Sequence, residues 1–205
     1  MANALVFYTN PQSRGQIIRW MLEEVGAPYE TQILDYASTM KAPEYLAINP
    51  MGKVPAIRHG DQIITECAAI CAYLADAFPE AGLLPAPADR GAYFRWLFFA
   101  AGPIEAAFTA KAVGWEVPAD KQGMVGFGNF DLAIDTIAGA VDGKAFIAGD
   151  RFSAADVYVA SMLDFLIAFG MLPPRPAFDA YLAPLRERPA YHRAKEIDAA
   201  LMPKS

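Results

Sequence analysis

The sequence predicts an α/β domain followed by an all-helical one, and three observations carry that reading. The stretch from Asn49 to Tyr73, NPMGKVPAIRHGDQIITECAAICAY, reads as turn, strand, tight turn, strand and helix. The segment from Phe78 to Asp89 gathers Pro79, Pro85, Pro87 and Gly82 and reads as a linker. Beyond it, apolar residues recur at helical spacing. The expected organisation is a first domain over residues 1–78, a linker over 79–89 and a helical domain over 90–205.

The elements follow in order. Leu5-Val6-Phe7-Tyr8 is a short apolar run that predicts a buried strand, and Thr9-Asn10-Pro11-Gln12 a loop. Ser13 to Gln16 has the Ser-x-x-Gln capping-box form, and a helix follows with Ile17, Met21 and Val25 on one stripe. Gly26 and Pro28 stop it. Tyr29 to Leu34 predicts a second strand, and Ser38 to Leu46 a short helix or irregular chain. Val54 to Ile57 starts a strand, with Pro55 at its beginning where proline is tolerated. His59-Gly60-Asp61 turns the chain into Gln62–Thr65, the second strand of a hairpin. From Cys67, apolar residues at Cys67, Cys71, Leu74 and Phe78 predict a helix. In the second half, Tyr93 to Trp115 is a long aromatic-rich helix bent at Gly102-Pro103, and Lys121 to Val141 a further helix. Ser153-Ala154-Ala155-Asp156 is a capping box with Phe152 and Val157 at the staple positions, opening a helix to about Gly170. Pro173, Pro174 and Pro176 precede two closing helices.

Composition narrows the function. Of 205 residues, 23 are acidic and 17 basic, and the formal charge of −6 disfavours nucleic acid or an anionic membrane as partner. A hydrophobic content of 55% supports a full core and a buried subunit interface. No apolar run reaches membrane-helix length, and the opening MANALVFYTN lacks the charged start and apolar core of a signal peptide. The expectation is a soluble, cytoplasmic protein. Cys67 and Cys71 lie one helical turn apart and form no disulfide framework; with only His59 and His192 beside them, no metal set is expected. Both cysteines read as small buried residues, and Cys67, at a helix start, also as a thiol beside a site.

Asn49-Pro50-x-Gly52-Lys53-Val54-Pro55-Ala56 and, eleven residues after Pro55, Glu66-Cys67-Ala68-Ala69-Ile70 together resemble the glutathione site of the glutathione S-transferases. The family usually carries Ser where Cys67 stands. The resemblance implies a thioredoxin-like N-terminal domain, an all-α C-terminal domain, a homodimer, and glutathione as co-substrate without a metal. It implies that Pro55 is cis and that Val54 offers its backbone groups to an extended peptide, as an added strand would. Glu66 would meet the free amino group of glutathione. Cys67, at a helix N-terminus, would sit where the γ-glutamyl carboxylate binds. Lys41 and Lys53 are candidates for the glycine carboxylate. Phe99 and Trp115, with Pro103, are candidates to line an apolar pocket for the second substrate.

The chemistry requires a thiolate. Lowering a thiol pKa from about 8.5 to about 6.5 needs roughly 2.7 kcal/mol of thiolate stabilisation. A positioned hydroxyl with a nearby Arg or helix N-terminus supplies that much. Two hydroxyls compete for the role. Tyr8, followed by Asn10 and Arg14, is similar to the Tyr-x-Asn-x-x-x-Arg stretch of the tyrosine-type classes; Ser13 stands at the helix start, where serine-type and cysteine-type classes keep theirs. Thr9 and Asn10 stand behind them, and Arg14 is the electrostatic helper. The reading is transfer of glutathione to a small hydrophobic electrophile. The alternatives are glutathione-dependent reduction of peroxides or disulfides, and a non-catalytic glutathione-binding regulator on the same fold.

Overall fold

The computed structural model describes residues 4–202. β1 (Leu5–Thr9) leads to α1 (Gly15–Val25), β2 (Glu30–Ile33), the short α2 (Pro43–Leu46), β3 (Ala56–His59), β4 (Gln62–Thr65) and α3 (Cys67–Ala77). The sheet runs β2-β1-β3-β4, with β1 parallel to β2 and antiparallel to β3, and β3 antiparallel to β4. This is the thioredoxin-like arrangement implied by the resemblance.

Strand alternation divides the work of β1. Val6 and Tyr8 face the α2 side, where they pack with Met40, Tyr45 and Ala56. Phe7 faces α1, with the Arg19 guanidinium 4.9 Å from its ring centre. At Gly15 an added Cβ would stand 1.8 Å from Thr9 Oγ1, so the first turn of α1 rests directly on the end of β1 and tolerates no side chain.

Two compact units are formed, Met1–Leu84 with Glu187–Ser205, and Pro85–Arg186. In the first, the last helix, α9 (Pro189–Ala200), packs along α1. Arg19 is 1% exposed and donates to Asp198 (3.2 Å), the Tyr29 hydroxyl (2.9 Å) and Thr31 Oγ1 (2.8 Å). Burial pushes the Tyr29 hydroxyl up to about 12; its hydrogen bond from Arg19 opposes this and its bond to Glu23 adds to it. Arg188 binds both oxygens of Glu24 at 2.6 and 2.8 Å, closing the seam.

The second unit contains α4 (Arg90–Phe99), α5 (Glu105–Ala112), α6 (Phe130–Val141), α7 (Ala154–Ala168) and α8 (Pro176–Arg186). Ala100–Ile104 is a π-helical turn between α4 and α5 that carries the expected break at Gly102-Pro103. At the start of α7 the Asp156 carboxylate takes the Ser153 N–H (2.9 Å) and hydroxyl (3.0 Å), the Ile147 N–H (2.7 Å) and the Tyr181 hydroxyl (2.8 Å). The predicted capping box is therefore also a buried junction.

Three local expectations change. Gln16 does not close a box with Ser13, because the Ser13 N–H is taken by Asn10 O in a tight turn; the Gln16 amide donates to Pro11 O instead, at 2.7 Å. The helix expected over Lys121–Val141 is split: Ala119–Met124 forms a 3-10 helix, Gly128 takes a φ of 64°, and the α-helix begins only at Phe130, where the Asn129 side chain accepts from Leu132 N–H. On α3 the buried stripe is Ala68, Ile70, Cys71, Leu74 and Ala75, and Cys67 is only half-buried.

Candidate active site

The starts of α1 and α3 meet. The Ser13 hydroxyl donates to Asn10 O (2.6 Å) and accepts from the Gly15 N–H (2.9 Å), so its oxygen is held at the first turn of α1. The Cys67 thiol lies 3.9 Å from Arg14 O. Ser13 and Arg14 thereby share one corner with Glu66 and Cys67. Glu66 precedes α3 at φ 67°, ψ 123°, a backbone conformation that costs a side-chain-bearing residue about 1–3 kcal/mol. Its carboxylate is exposed. The Val54–Pro55 peptide is cis, and β3 begins only at Ala56, so Val54 precedes the ladder.

The loop before it is tied from below. Lys53 O accepts from the Tyr45 hydroxyl (2.5 Å) and the Asn49 amide (2.8 Å). Burial pushes the Tyr45 hydroxyl up to about 12, with Asn49 opposing and Tyr8 adding. Gly52 sits at φ 56° with an added Cβ only 3.0 Å from Met40 O, so both its conformation and its surroundings require glycine. The Lys41 ammonium donates to Gly52 O at 2.6 Å and braces this loop, whereas Lys53 is exposed.

Tyr8 lies on β1 and Ser13 at the turn that opens α1. Tyr8 faces the α2 side of the sheet with its ring 5.7 Å from that of Tyr45. The Asn10 side chain is committed at both ends: its amide donates to Leu34 O (2.9 Å) and its oxygen accepts from Gln12 N–H (3.0 Å). It shapes the loop that carries Ser13. Thr9 is buried beneath Gly15.

In the helical unit, Phe99 is half-buried and edge-on to Trp96 at 5.6 Å. Trp115 is 53% exposed, edge-on to Phe127 at 6.3 Å, and lines a cavity of about 740 Å³ that Phe99 does not reach. These two candidates are thus separate. Among the described residues, no three His, Cys, Asp or Glu side chains are grouped to hold a metal ion, and no helix is long and apolar enough to cross a membrane.

Residues 13–77, which span this corner, match the family model for the glutathione S-transferase N-terminal domain. A glutathione S-transferase-like protein, OpS6 of Beauveria bassiana, is 30% identical over 206 residues, covering 88% of this chain and 89% of its own length. The chain belongs to the glutathione S-transferase family. Solved family structures superpose over nearly the whole length. A glutathione transferase from Methylococcus capsulatus strain Bath has a TM-score of 0.80 at 27% identity, over 96% of this chain and 100% of its own. A sphingomonad glutathione S-transferase complexed with glutathione has a TM-score of 0.77 at 28% identity, over 95% and 98%.

Within this glutathione S-transferase chain, several contributors escaped the sequence reading. Tyr45 and Asn49 hold the Lys53 carbonyl, yet in sequence they look like an ordinary helix aromatic and a loop residue. Gly52, by contrast, belongs to the Asn49-Pro50-x-Gly52 motif already read from the sequence, two residues after Pro50. Phe108, Phe165 and Phe169 form an aromatic ladder in the helical unit, with ring centres 5.6 and 4.5 Å apart and Phe169 largely exposed. Two of these rings lie on α7 and its end and one on α5, a proximity that spacing along the chain cannot reveal.

Proposed function

We propose that this chain is a glutathione transferase whose Ser13 hydroxyl stabilises the glutathione thiolate for attack on a small apolar electrophile. One observation carries the reading: the contact between Cys67 Sγ and Arg14 O, which joins the Ser13 turn to Glu66 and the first turn of α3. A tripeptide with a free amino group, two carboxylates and a thiol matches the groups gathered there. Glu66 meets the amino group. The backbone N–H groups opening the eleven-residue α3, beginning at Cys67, meet the γ-glutamyl carboxylate. Val54 pairs the peptide backbone next to Pro55. Lys53 is the better partner for the glycine carboxylate, since Lys41 already serves Gly52 O.

The step itself is small. In the unliganded chain the Ser13 proton is directed at Asn10 O. A bound thiolate takes that proton's hydrogen bond in exchange, with no movement of the main chain. Arg14 and the N-terminal end of α1 add positive potential. The thiol proton leaves to solvent, the sulfur forms a bond to the electrophilic carbon, and the displaced electron pair departs with the leaving group or opens a strained ring.

The functional form is a homodimer in the cytoplasm. Phe94 and Phe98, one turn apart on α4, stack 6.2 Å apart with both rings exposed, an apolar surface suited to a second copy of the chain. The deciding experiment offers glutathione with aryl halides, epoxides, peroxides and mixed disulfides. Conjugates of an aryl halide or epoxide are the expected result. Reduction without conjugation makes the chain a reductase, and saturable glutathione binding with no turnover makes it a binding protein.

A further inference from the structure

The carbonyl of Lys53 is held twice. It accepts from the Tyr45 hydroxyl at 2.5 Å and from the Asn49 side-chain amide at 2.8 Å. A carbonyl oxygen has two lone pairs, so these donors take up its capacity and leave none for a ligand. Both donors come from the interior: Tyr45 is 3% exposed and Asn49 5%. Both are also fixed in place. The Tyr45 ring packs 5.7 Å from that of Tyr8, and the Asn49 side-chain oxygen already accepts from the Met51 N–H at 3.1 Å. Burial pushes the Tyr45 hydroxyl up to about 12, so it keeps the proton it donates throughout the physiological range.

Holding that oxygen fixes a second group. The cis bond is Val54–Pro55, and the Lys53–Val54 peptide before it is trans. In a trans peptide the C=O and the following N–H lie in one rigid plane and point in opposite directions. Pinning the Lys53 carbonyl inward therefore turns the Val54 N–H away from the interior. No described residue accepts from that N–H, and the β3 ladder begins only at Ala56. It is the group an extended peptide would meet as an added strand. Of the three residues of glutathione, only the cysteinyl has an ordinary amide on each side, so its carbonyl is the acceptor for the Val54 N–H.

We propose that Tyr45 and Asn49 are positioning residues for glutathione: by clamping the Lys53 carbonyl, they keep the Val54 N–H aimed at the cysteinyl carbonyl of the tripeptide. This rests on the glutathione reading of the corner. Neither side chain touches the tripeptide, and both act through one peptide plane.

The test titrates three ligands calorimetrically into the full chain: glutathione, γ-glutamylcysteine amide, which keeps the cysteinyl carbonyl, and γ-glutamylcysteamine, which lacks it. The amide should bind the unaltered chain about 3- to 10-fold more tightly than the cysteamine derivative, the scale of one net hydrogen bond. In nitrogen-15 spectra of the unaltered chain, the Val54 amide proton should move downfield with glutathione and with the amide, and not with the cysteamine derivative. Two variants then release the clamp. Tyr45→Phe removes one donor, and the isosteric Asn49→Asp replaces the other by a carboxylate. Glutathione and the amide should each weaken by about 3- to 10-fold in either variant, while the cysteamine derivative binds as before. The same spectra report whether each variant is folded. The proposal is overturned if the two shorter ligands bind the unaltered chain alike, if the Val54 proton stays in place when glutathione binds, if the folded variants keep the preference for the amide, or if they weaken all three ligands equally. A lack of saturable glutathione binding to the unaltered chain overturns the glutathione reading itself, and the proposal with it.

Discussion

Ser13→Ala removes one oxygen that has three possible partners: Asn10 O, the Gly15 N–H and, when glutathione is bound, its sulfur. A hydrogen bond to a charged group is worth about 1.5–3 kcal/mol. Losing it therefore raises the pKa of bound glutathione by about 1–2. The acid limb of kcat/KM should move to higher pH by the same amount, with a loss of about 10- to 100-fold below that limb. Binding of S-methyl glutathione, which has no thiol to ionise, should change little. The two intramolecular bonds also vanish, so the folded state should lose about 1–3 kcal/mol. Melting curves separate the two effects. Tyr8→Phe, on the α2 side, should leave the acid limb where it is. If Ser13→Ala lowers stability while the limb stays, Ser13 only braces the loop, and the thiolate is held by backbone groups or Arg14.

Further outcomes follow from the same geometry. Glu66→Gly should be more stable than Glu66→Ala by about 1 kcal/mol in chemical unfolding, because glycine relaxes the positive φ and alanine does not. Gly15→Ala should lower both stability and activity, since its Cβ would collide with Thr9 Oγ1. Asp198→Ala strands the buried Arg19 charge and should cost about 3–5 kcal/mol, whereas the pair Arg19→Met with Asp198→Leu should recover most of that loss in melting experiments. Burial raises the carboxyls of Asp156 and Asp198 above 3.8 in the folded chain, so near that pH the folded chain holds more protons than the unfolded one. The stability they supply is full below pH 3.8 and is lost as pH rises through the raised values; the difference in unfolding free energy between the wild-type chain and Asp156→Asn or Asp198→Asn should shrink over that window.

Local chemistry made much of the fold legible. The hairpin around Gly60, the stop at Gly26 and the box at Ser153 and Asp156 are each set by residues within four positions of one another. The bend at Gly102-Pro103 was legible because Pro103 cannot donate to a helical ladder. Long-range pairings were not. Nothing near Arg19 announces Asp198, 179 residues away, so the seating of α9 on α1 is invisible in sequence. In the same way Ser13 and Tyr8 looked equivalent, because both are hydroxyls near the end of the first strand. Strand alternation distinguishes them only once the register of β1 is fixed: Tyr8 goes to the α2 face and the turn at Asn10 carries Ser13 to the start of α1. The false capping box at Gln16 arose because a tight turn had already taken the Ser13 N–H.

Calorimetric titration of glutathione into the wild-type chain and into Glu66→Gln reaches the site most directly. Glu66 is exposed, so its pairing with the amino group is partly screened and is worth about 1–2 kcal/mol, less than a buried pair would be. The expected result is saturable binding to the wild-type chain and an affinity about 5- to 30-fold weaker in the folded variant. No binding to the wild-type chain, or equal affinity in the two, would contradict a glutathione site built on the meeting of α1 and α3.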